Sequence, residues 1–405
     1  MVVAWSLRQR HEVVLLEKND YLGGHTHTHK LDSDGKTYNV DSGFIVYNNK
    51  TYPNFIRFLG LLGVAGRKTT MSFSVSSDER NLEYNGTSIN SLFAQRRNIL
   101  RPSFWRMISG ILRFNRECKK LLVAATPSEE LLGSFVARLR LPTEFTEFYI
   151  KPMTAAVWSA GTKMVESMPI FFIARFFENH GFLNIDDRPQ WYTVEGGSSA
   201  YAEKVAKDLG SRLRLNCGVA SIKRNAGKPV VTLESGEEIS CDHVVMACHS
   251  DQAARLIQDK TPEESEILSA IRYVKNDVAI HTDTTLMPRR RLAWAAWNYH
   301  LFGDKTGEVA VTYNMNILQG LDSSNQFLVT LNSNEKIDPD KMIKTLTYDH
   351  PYFDYAAVAA QERRSEISGK AGIHYCGAYW ANGFHEDGVV SALCVINEID
   401  KQAVW

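Results

Sequence analysis

Cysteine is scarce and scattered. The six in 405 residues (Cys118, Cys217, Cys241, Cys248, Cys376 and Cys394) include no C-x-x-C pair. That spacing argues against a disulfide framework or a cysteine zinc site and favours reduced, mostly buried thiols. No apolar run reaches the length of a membrane span, and the N-terminal residues show no signal-peptide pattern. Net charge is missing too: 46 basic against 46 acidic residues leave nothing overall to attract nucleic acid. A soluble, cytoplasmic protein with no nucleic-acid partner is expected. Catalytic clusters are equally sparse. In "VEGGSSAY", Ser198 and Ser199 follow Gly197 directly, which is not G-x-S-x-G, and no nucleophile–base constellation stands out. Neither an internal repeat nor a low-complexity stretch occurs.

What is present is a large apolar reserve, 44% of residues, enough for a sizeable core and two domains. "VVAWSLR" (residues 2–8) fits the end of a helix, and "RHEVVLLEKN" reads as a turn and a buried strand. "KTYNVDSGFIVYN" offers a strand interrupted at Gly43. From about residue 52 to 187 helical spacing dominates, with aromatic-rich blocks such as "PSFWRMISGILRFNRECKKLL" and "PIFFIARFFENHGF". A Gly-Gly-Ser turn at 196–198 opens a helix, and the strands "LRLNCGVASIKR", "KPVVTLESGE" and "EISCDHVVMAC" follow, the last two joined as a hairpin. Further strands are expected at "DVAIHTD", "EVAVTYNM" and "FLVTLN", and the tail reads strand, glycine turn, helix. Nucleotide-type β/α texture at the start, middle and end predicts a discontinuous domain.

Individual motifs carry two readings each. Glu17 ends an apolar run six residues before Gly23, as a ribose-binding acid would in a dinucleotide fold, yet ordinary strands also end in acids. In "YCGAYWANGFHEDGVV", glycines and a following helix start suit a pyrophosphate or the pyrimidine edge of a flavin, or a plain strand–turn–helix. His25, His27 and His29 alternate as one face of a strand would, but neighbours on one strand rarely converge on an ion, so no metal is expected. Residues 96–120 are strongly basic, with Phe104, Ile108, Ile111, Leu112 and Leu122 at helical spacing. That segment suits either a packed helix with solvated arginines or peripheral contact with an anionic membrane.

The segments "LLEKNDYLGGHTHT", "VEGGSSAYAEKVAKDL", "LNCGVASIKR", "HVVMACHSDQAARLI" and "CGAYWANGFHEDGVVSAL" together resemble flavin-dependent amine oxidases and relatives such as phytoene desaturases and protoporphyrinogen oxidases. "HTDTTLMPRRRLAWAAWNYH", "VTYNMNILQGL", "TLNSNEKIDP" and "YDHPYFDYAAVAAQ" resemble, more narrowly, the branch found beside or fused ahead of cyclopropane-fatty-acid synthases. The resemblance implies FAD as cofactor. It assigns Glu17 to the adenosine ribose, Gly23 and Gly24 to the second flavin motif, and His25 to the place where most relatives carry arginine. It sets Ser42 and Gly43 beside the isoalloxazine, Val219 at the adenine, and Gly377, Gly388 and Val389 in the late flavin motif, with the 388 and 389 amides directed at the pyrimidine. Ala378 stands where amine oxidases commonly have glutamate, and Phe384 lies near a substrate-cage aromatic.

The implied fold is α/β: a Rossmann-like FAD domain of the glutathione reductase type at 1–56, 188–262 and 368–405. An α+β substrate domain would take 57–187 and 263–367. The implied activity is hydride abstraction from a C–H bond of an apolar, fatty-acyl type of small-molecule substrate, with no general base required and Lys151 as a polar group near the flavin. Association with a cyclopropane-fatty-acid synthase-like enzyme is implied by the branch. Relatives also carry a first strand and G-x-G-x-x-G loop that this sequence does not contain, so an N-terminally cut-short domain is expected. The alternative is a catalytically inactive flavin-fold remnant serving as a binding or scaffold protein.

Overall fold

The computed structural model describes residues 1–124, 129–159, 161–184, 188–302 and 310–405. Two parallel strand pairs carry the nucleotide-type texture. Leu15–Leu16 pairs with Leu213–Arg214, and Val244–Met246 pairs with Ile373–Tyr375. Among the described residues no strand bonds to both pairs. The segment 10–19 therefore differs from the buried strand expected: only Leu15–Leu16 is regular, and Val14 is exposed. A strand bonded on one side alone keeps that exposure. Helices Val2–Leu7 and His385–Ile399 pack together through Val3, Leu7, Ala392, Val395 and Ile396.

The middle strands are shorter than the sequence suggests. "LRLNCGVASIKR" divides into Leu213–Arg214 and Val219–Asn225, and "EISCDHVVMAC" into Glu238–Ser240 and Val244–Met246. Each half joins a different sheet. Val219–Asn225, Lys228–Leu233 and Glu238–Ser240 form an antiparallel meander closed by the expected hairpin. Thr28–Ser33 and Lys36–Asp41 form another hairpin, whose strand stops before Gly43 and resumes at Val46–Asn48.

A seven-stranded sheet stands over this layer, in the order Met342–Tyr352, Arg272–His281, Leu328–Leu331, Val311–Asn314, Trp297–Leu301, Phe73–Ser77, Leu82–Asn85. It is mixed, with Trp297–Leu301 and Phe73–Ser77 parallel and the other neighbours antiparallel. The strand expected at "EVAVTYNM" begins with residues 308 and 309, and the expected boundary at residue 187 also falls there: both lie outside the described residues. The Met342–Tyr352 strand was not expected. Pro351 within it is tolerated because the strand lies at the sheet edge, where a missing N–H leaves no ladder bond unmade.

The aromatic-rich blocks form helices Pro102–Val123 and Ile170–Asn179. The first buries Phe104, Met107, Phe114 and Cys118, one helical stripe against Phe135, Phe145 and Phe177. Gly110 is needed there, since a Cβ would lie 2.5 Å from that of Phe145. Leu112, read as part of the apolar face, points outward instead. Among the described residues no helix is long and apolar enough to cross a membrane.

Candidate functional site

The glycines of the first motif make a tight turn. Gly23 and Gly24 have φ of +136° and +60°, and the Thr26 amide donates to Gly23 O at 3.0 Å. The loop Ser42–Phe44 lies directly against this turn. Phe44 N donates to His25 O at 2.8 Å, and a Cβ on Gly43 would sit 2.2 Å from that same oxygen. Only glycine lets the two backbones approach so closely. Gly43→Ala is accordingly expected to displace the His25 backbone and lower stability by about 1–3 kcal/mol. A thermal melt matching the parent chain would contradict this packing.

Asp41 anchors the loop. It is fully buried, and its carboxylate accepts bonds from Ser198 N and Oγ, Thr28 Oγ1 and Gln319 Nε2. Burial nevertheless pushes its carboxyl up to about 6, against the opposing pull of the Thr28 and Ser198 donors. The residue fastens the Gly196-Gly197-Ser198 turn to the first hairpin, leaving Ser42 to face the other way.

A histidine–tyrosine network occupies that side. Ser42 Oγ meets Tyr348 OH at 2.7 Å and His29 Nε2 at 2.9 Å, while Tyr348 OH meets His27 Nδ1 at 3.1 Å. Lys344 Nζ is 3.3 Å from His29 Nδ1. Lys344, Tyr348 and His350 alternate along Met342–Tyr352, so strand geometry turns all of them toward the hairpin. His25 adjoins the same network through Tyr348, edge-on at 4.7 Å, and also meets His350 at 5.3 Å and His249 at 5.9 Å between ring centres. Burial, then the neighbouring imidazoles, holds His25 well below its usual pKa, and His350 is lowered to about 4 in the same way. These rings are neutral at pH 7. The three histidines of "HTHTH" do not share one ion site, and among the described residues no cluster of three or more metal-ligating groups occurs.

The C-terminal turn meets the Gly-Gly-His turn through His385. Gly377 N donates to Ser391 Oγ at 2.9 Å, and Gly388 lies opposite Ala378, whose amide nitrogen is 3.8 Å from where a Cβ would be. The Gly388 amide itself donates to Phe384 O at 3.1 Å, so its contribution is the space left by its missing side chain, and the free amides of this helix start are those of residues 385–387. Glu386 caps a second helix, Pro53–Leu61, accepting from Asn54 N at 3.1 Å and Phe55 N at 2.9 Å. His385 bonds Tyr201 OH at 2.9 Å and Thr26 Oγ1 at 3.1 Å and stacks on Phe44 at 3.5 Å. That residue ties the Gly-Gly-His turn, helix Ser199–Leu209 and the C-terminal helix together.

Glu17 lies at the end of the first parallel pair, its backbone bonded to Arg214 O and to Cys217 N, two residues before Val219. Its Oε1 accepts from Asn19 N at 2.9 Å, and no cation pairs with it among the described residues. Val389 is buried in the helix that also carries Gly388. Lys151 is engaged elsewhere: Glu147 and Glu166 each hold its ammonium at 2.7 Å. Burial works against that charge, but the two carboxylates outweigh it and raise the pKa. Phe384 stacks on Phe176 at 4.8 Å and joins an aromatic wall with Trp158, Phe172 and Phe353. His249, Tyr348, His350, His385 and Tyr201 were not anticipated; the alternation K-x-L-x-Y-x-H along 344–350 is the local pattern that marks two of them.

A strand-end acid, a Gly-Gly turn packed against the Ser42–Phe44 loop and a C-terminal helix tied to that turn through His385 are the features of a mixed α/β chain built around parallel strand pairs. The chain belongs to the flavin containing amine oxidoreductases, whose family model matches residues 1–296, and its cofactor is FAD. Solved structures agree on the fold. Putrescine oxidase bound to putrescine superposes with a TM-score of 0.70 at 15% identity, over 99% of this chain and 96% of that one. Cyclohexylamine oxidase from Brevibacterium oxydans IH-35A gives 0.70 at 13% identity over 98% and 96%. The CLA-producing fatty acid isomerase from P. acnes gives 0.68 at 15% identity over 98% and 96%. A search of curated protein sequences finds no match.

The residues present fit the cofactor. The Glu17 carboxylate, with no cation partner among the described residues, suits ribose hydroxyls, and Gly24, with nothing within 4 Å of where a Cβ would lie, leaves room for close backbone approach. FAD, when bound, supplies a two-electron acceptor for substrate oxidation.

Proposed function

We propose that this oxidoreductase takes hydride from a C–H bond of an apolar, fatty-acyl type of substrate. The observation that carries the reading is the set of uncharged rings packed around His25. His25, His249 and His350 face one another with their pKa values lowered, first by burial, and Tyr348 beside them is protonated. The Phe384 side of the last helix start is aromatic, with Phe176, Trp158 and Phe172 packed on one another, and Lys151 is neutralised by its two glutamates. A site of this kind orients an uncharged chain and excludes water, whereas an ammonium would lose its hydration without a compensating anion. The resemblance in fold to a fatty acid isomerase is consistent with it. Membership of the branch that accompanies cyclopropane-fatty-acid synthases belongs to the same proposal, as does a partner enzyme of that type.

The test is anaerobic bleaching of the flavin band by a panel of acyl lipids and of primary amines. Acyl compounds are expected to reduce the flavin and amines to leave it oxidised; reduction by amines alone would overturn the reading.

A further inference from the structure

The helix start at 96–105 and a distant loop build one surface that the redox site does not use. Leu100 and Ile89 are 86% and 79% exposed, and Ile99 and Trp105 are about half exposed at 48% each. Local contacts link the elements that carry them. Trp105 Nε1 donates to Ile99 O at 2.8 Å, and the Trp105 ring lies 5.7 Å from Phe93, which caps helix Ile89–Leu92. That short helix packs against residues 291–293, which adds Arg291 and the exposed Leu292 from far along the chain.

The arginines of this surface are held by carbonyls, amides and a ring. Arg96 donates to Asn90 and to the Phe93 carbonyl, Arg97 to Asn81 O, and Arg101 to Asn81 O, Arg80 O and Asn98. Arg291 lies over the Trp294 ring at 3.8 Å. Carbonyls and a ring fix these guanidiniums in place without neutralising them, and none has a carboxylate partner among the described residues. Nearby acids are engaged by other cations: Glu83 by Arg290, Asp78 by Arg289 and Glu144 by Arg106. In a chain of zero net charge, this is a local concentration of positive charge around protruding apolar tips.

We propose that this surface docks the protein on an anionic lipid bilayer. Protruding aliphatic side chains and a tryptophan would enter the headgroup boundary while the fixed guanidiniums meet lipid phosphates. The exposed tips come from three short elements, Ile89 from one, Ile99 and Leu100 from another and Leu292 from a third, with Arg96, Arg97, Arg101 and Arg291 among them. Lipid complements both features at once.

Flotation with vesicles of phosphatidylcholine, with and without phosphatidylglycerol, tests this on the intact chain. Co-flotation is expected only with the anionic vesicles, and weaker as salt is raised. Leu100→Asp, at a site too exposed to affect folding, should weaken partitioning about tenfold or more. The triple variant Arg96→Gln, Arg97→Gln, Arg101→Gln should weaken it on the order of a hundredfold, at about fivefold per charge removed. Absence of flotation, equal binding to neutral vesicles, or binding unchanged in Leu100→Asp would each overturn the proposal. Sedimentation showing a dimer abolished by Leu100→Asp would also overturn it, since a second copy would then be the occupant.

Discussion

Asp41→Ala is expected to destabilise the protein severely, by about 4 kcal/mol, through two buried N–H donors that lose their acceptor at a cost of about 1–3 kcal/mol each. The Ser198 amide and Gln319 Nε2 both point at the carboxylate from positions with almost no solvent access. The hydroxyls of Thr28 and Ser198 can rotate to other acceptors, but an amide cannot. Against an ordinary stability of about 5–15 kcal/mol, such a loss lowers the melting temperature steeply and frees the 196–198 turn from the hairpin. Asp41→Asn keeps one acceptor oxygen and brings an NH2 group toward the donors, so an intermediate loss is expected. Denaturant titration of both variants measures this. Parent-like stability in Asp41→Ala would mean that the carboxylate does not hold the loop.

Acidification from pH 7 to 5 is expected to remove several kcal/mol of stability. His29, His180, His281 and His350 are lowered to about 4 and His385 to about 3, in every case mainly by burial. A histidine with a depressed folded pKa binds its proton more readily when unfolded. Its neutral form is therefore compatible with folding above pH 6.5, and stability is lost as pH falls below that value. At about 1.4 kcal/mol per pH unit, each such imidazole accounts for about 2 kcal/mol by pH 5. Asp41 and Asp387, both pushed up to about 6 by burial, act in the opposite direction and return about 1 kcal/mol each over the same window. The imidazoles outnumber them. A melting temperature that is flat or rising from pH 7 to 5 would show that these rings are not held neutral.

Local patterns were legible in the sequence. The acid at the end of an apolar run, the Gly-Gly turn, the break at Gly43 and the strand–turn–helix of the tail each depend on residues within about a dozen positions of one another. The structure places Gly23 and Gly24 in a turn and Ser42 and Gly43 in the break between strands, as expected, whereas Glu17 follows a strand of only two residues and Gly388 lies inside the last helix, not before it. Less legible was whatever depends on long-range pairing. Met342–Tyr352 reads poorly as a strand because Pro351 and several polar residues interrupt it, and an edge position makes both acceptable. With that strand unseen, the meeting of Tyr348 and His350 with the "HTHTH" segment could not be inferred. Similarly, His385 looks like a helix-start residue until Thr26, Tyr201 and Phe44 converge on it. Leu112 shows a further limit: helical spacing admits it to the apolar stripe, and only the position of the packed neighbours turns it outward.

The central claim is that this chain binds FAD with Glu17 among the residues that hold it, and titration of the purified chain with FAD in the visible range tests it most directly. Band shifts that saturate are predicted for the parent chain. Glu17→Ala should weaken the affinity about tenfold or more, as expected for losing hydrogen bonds to a charged acceptor. A mixture whose spectrum stays the sum of free FAD and protein at every concentration would contradict the account.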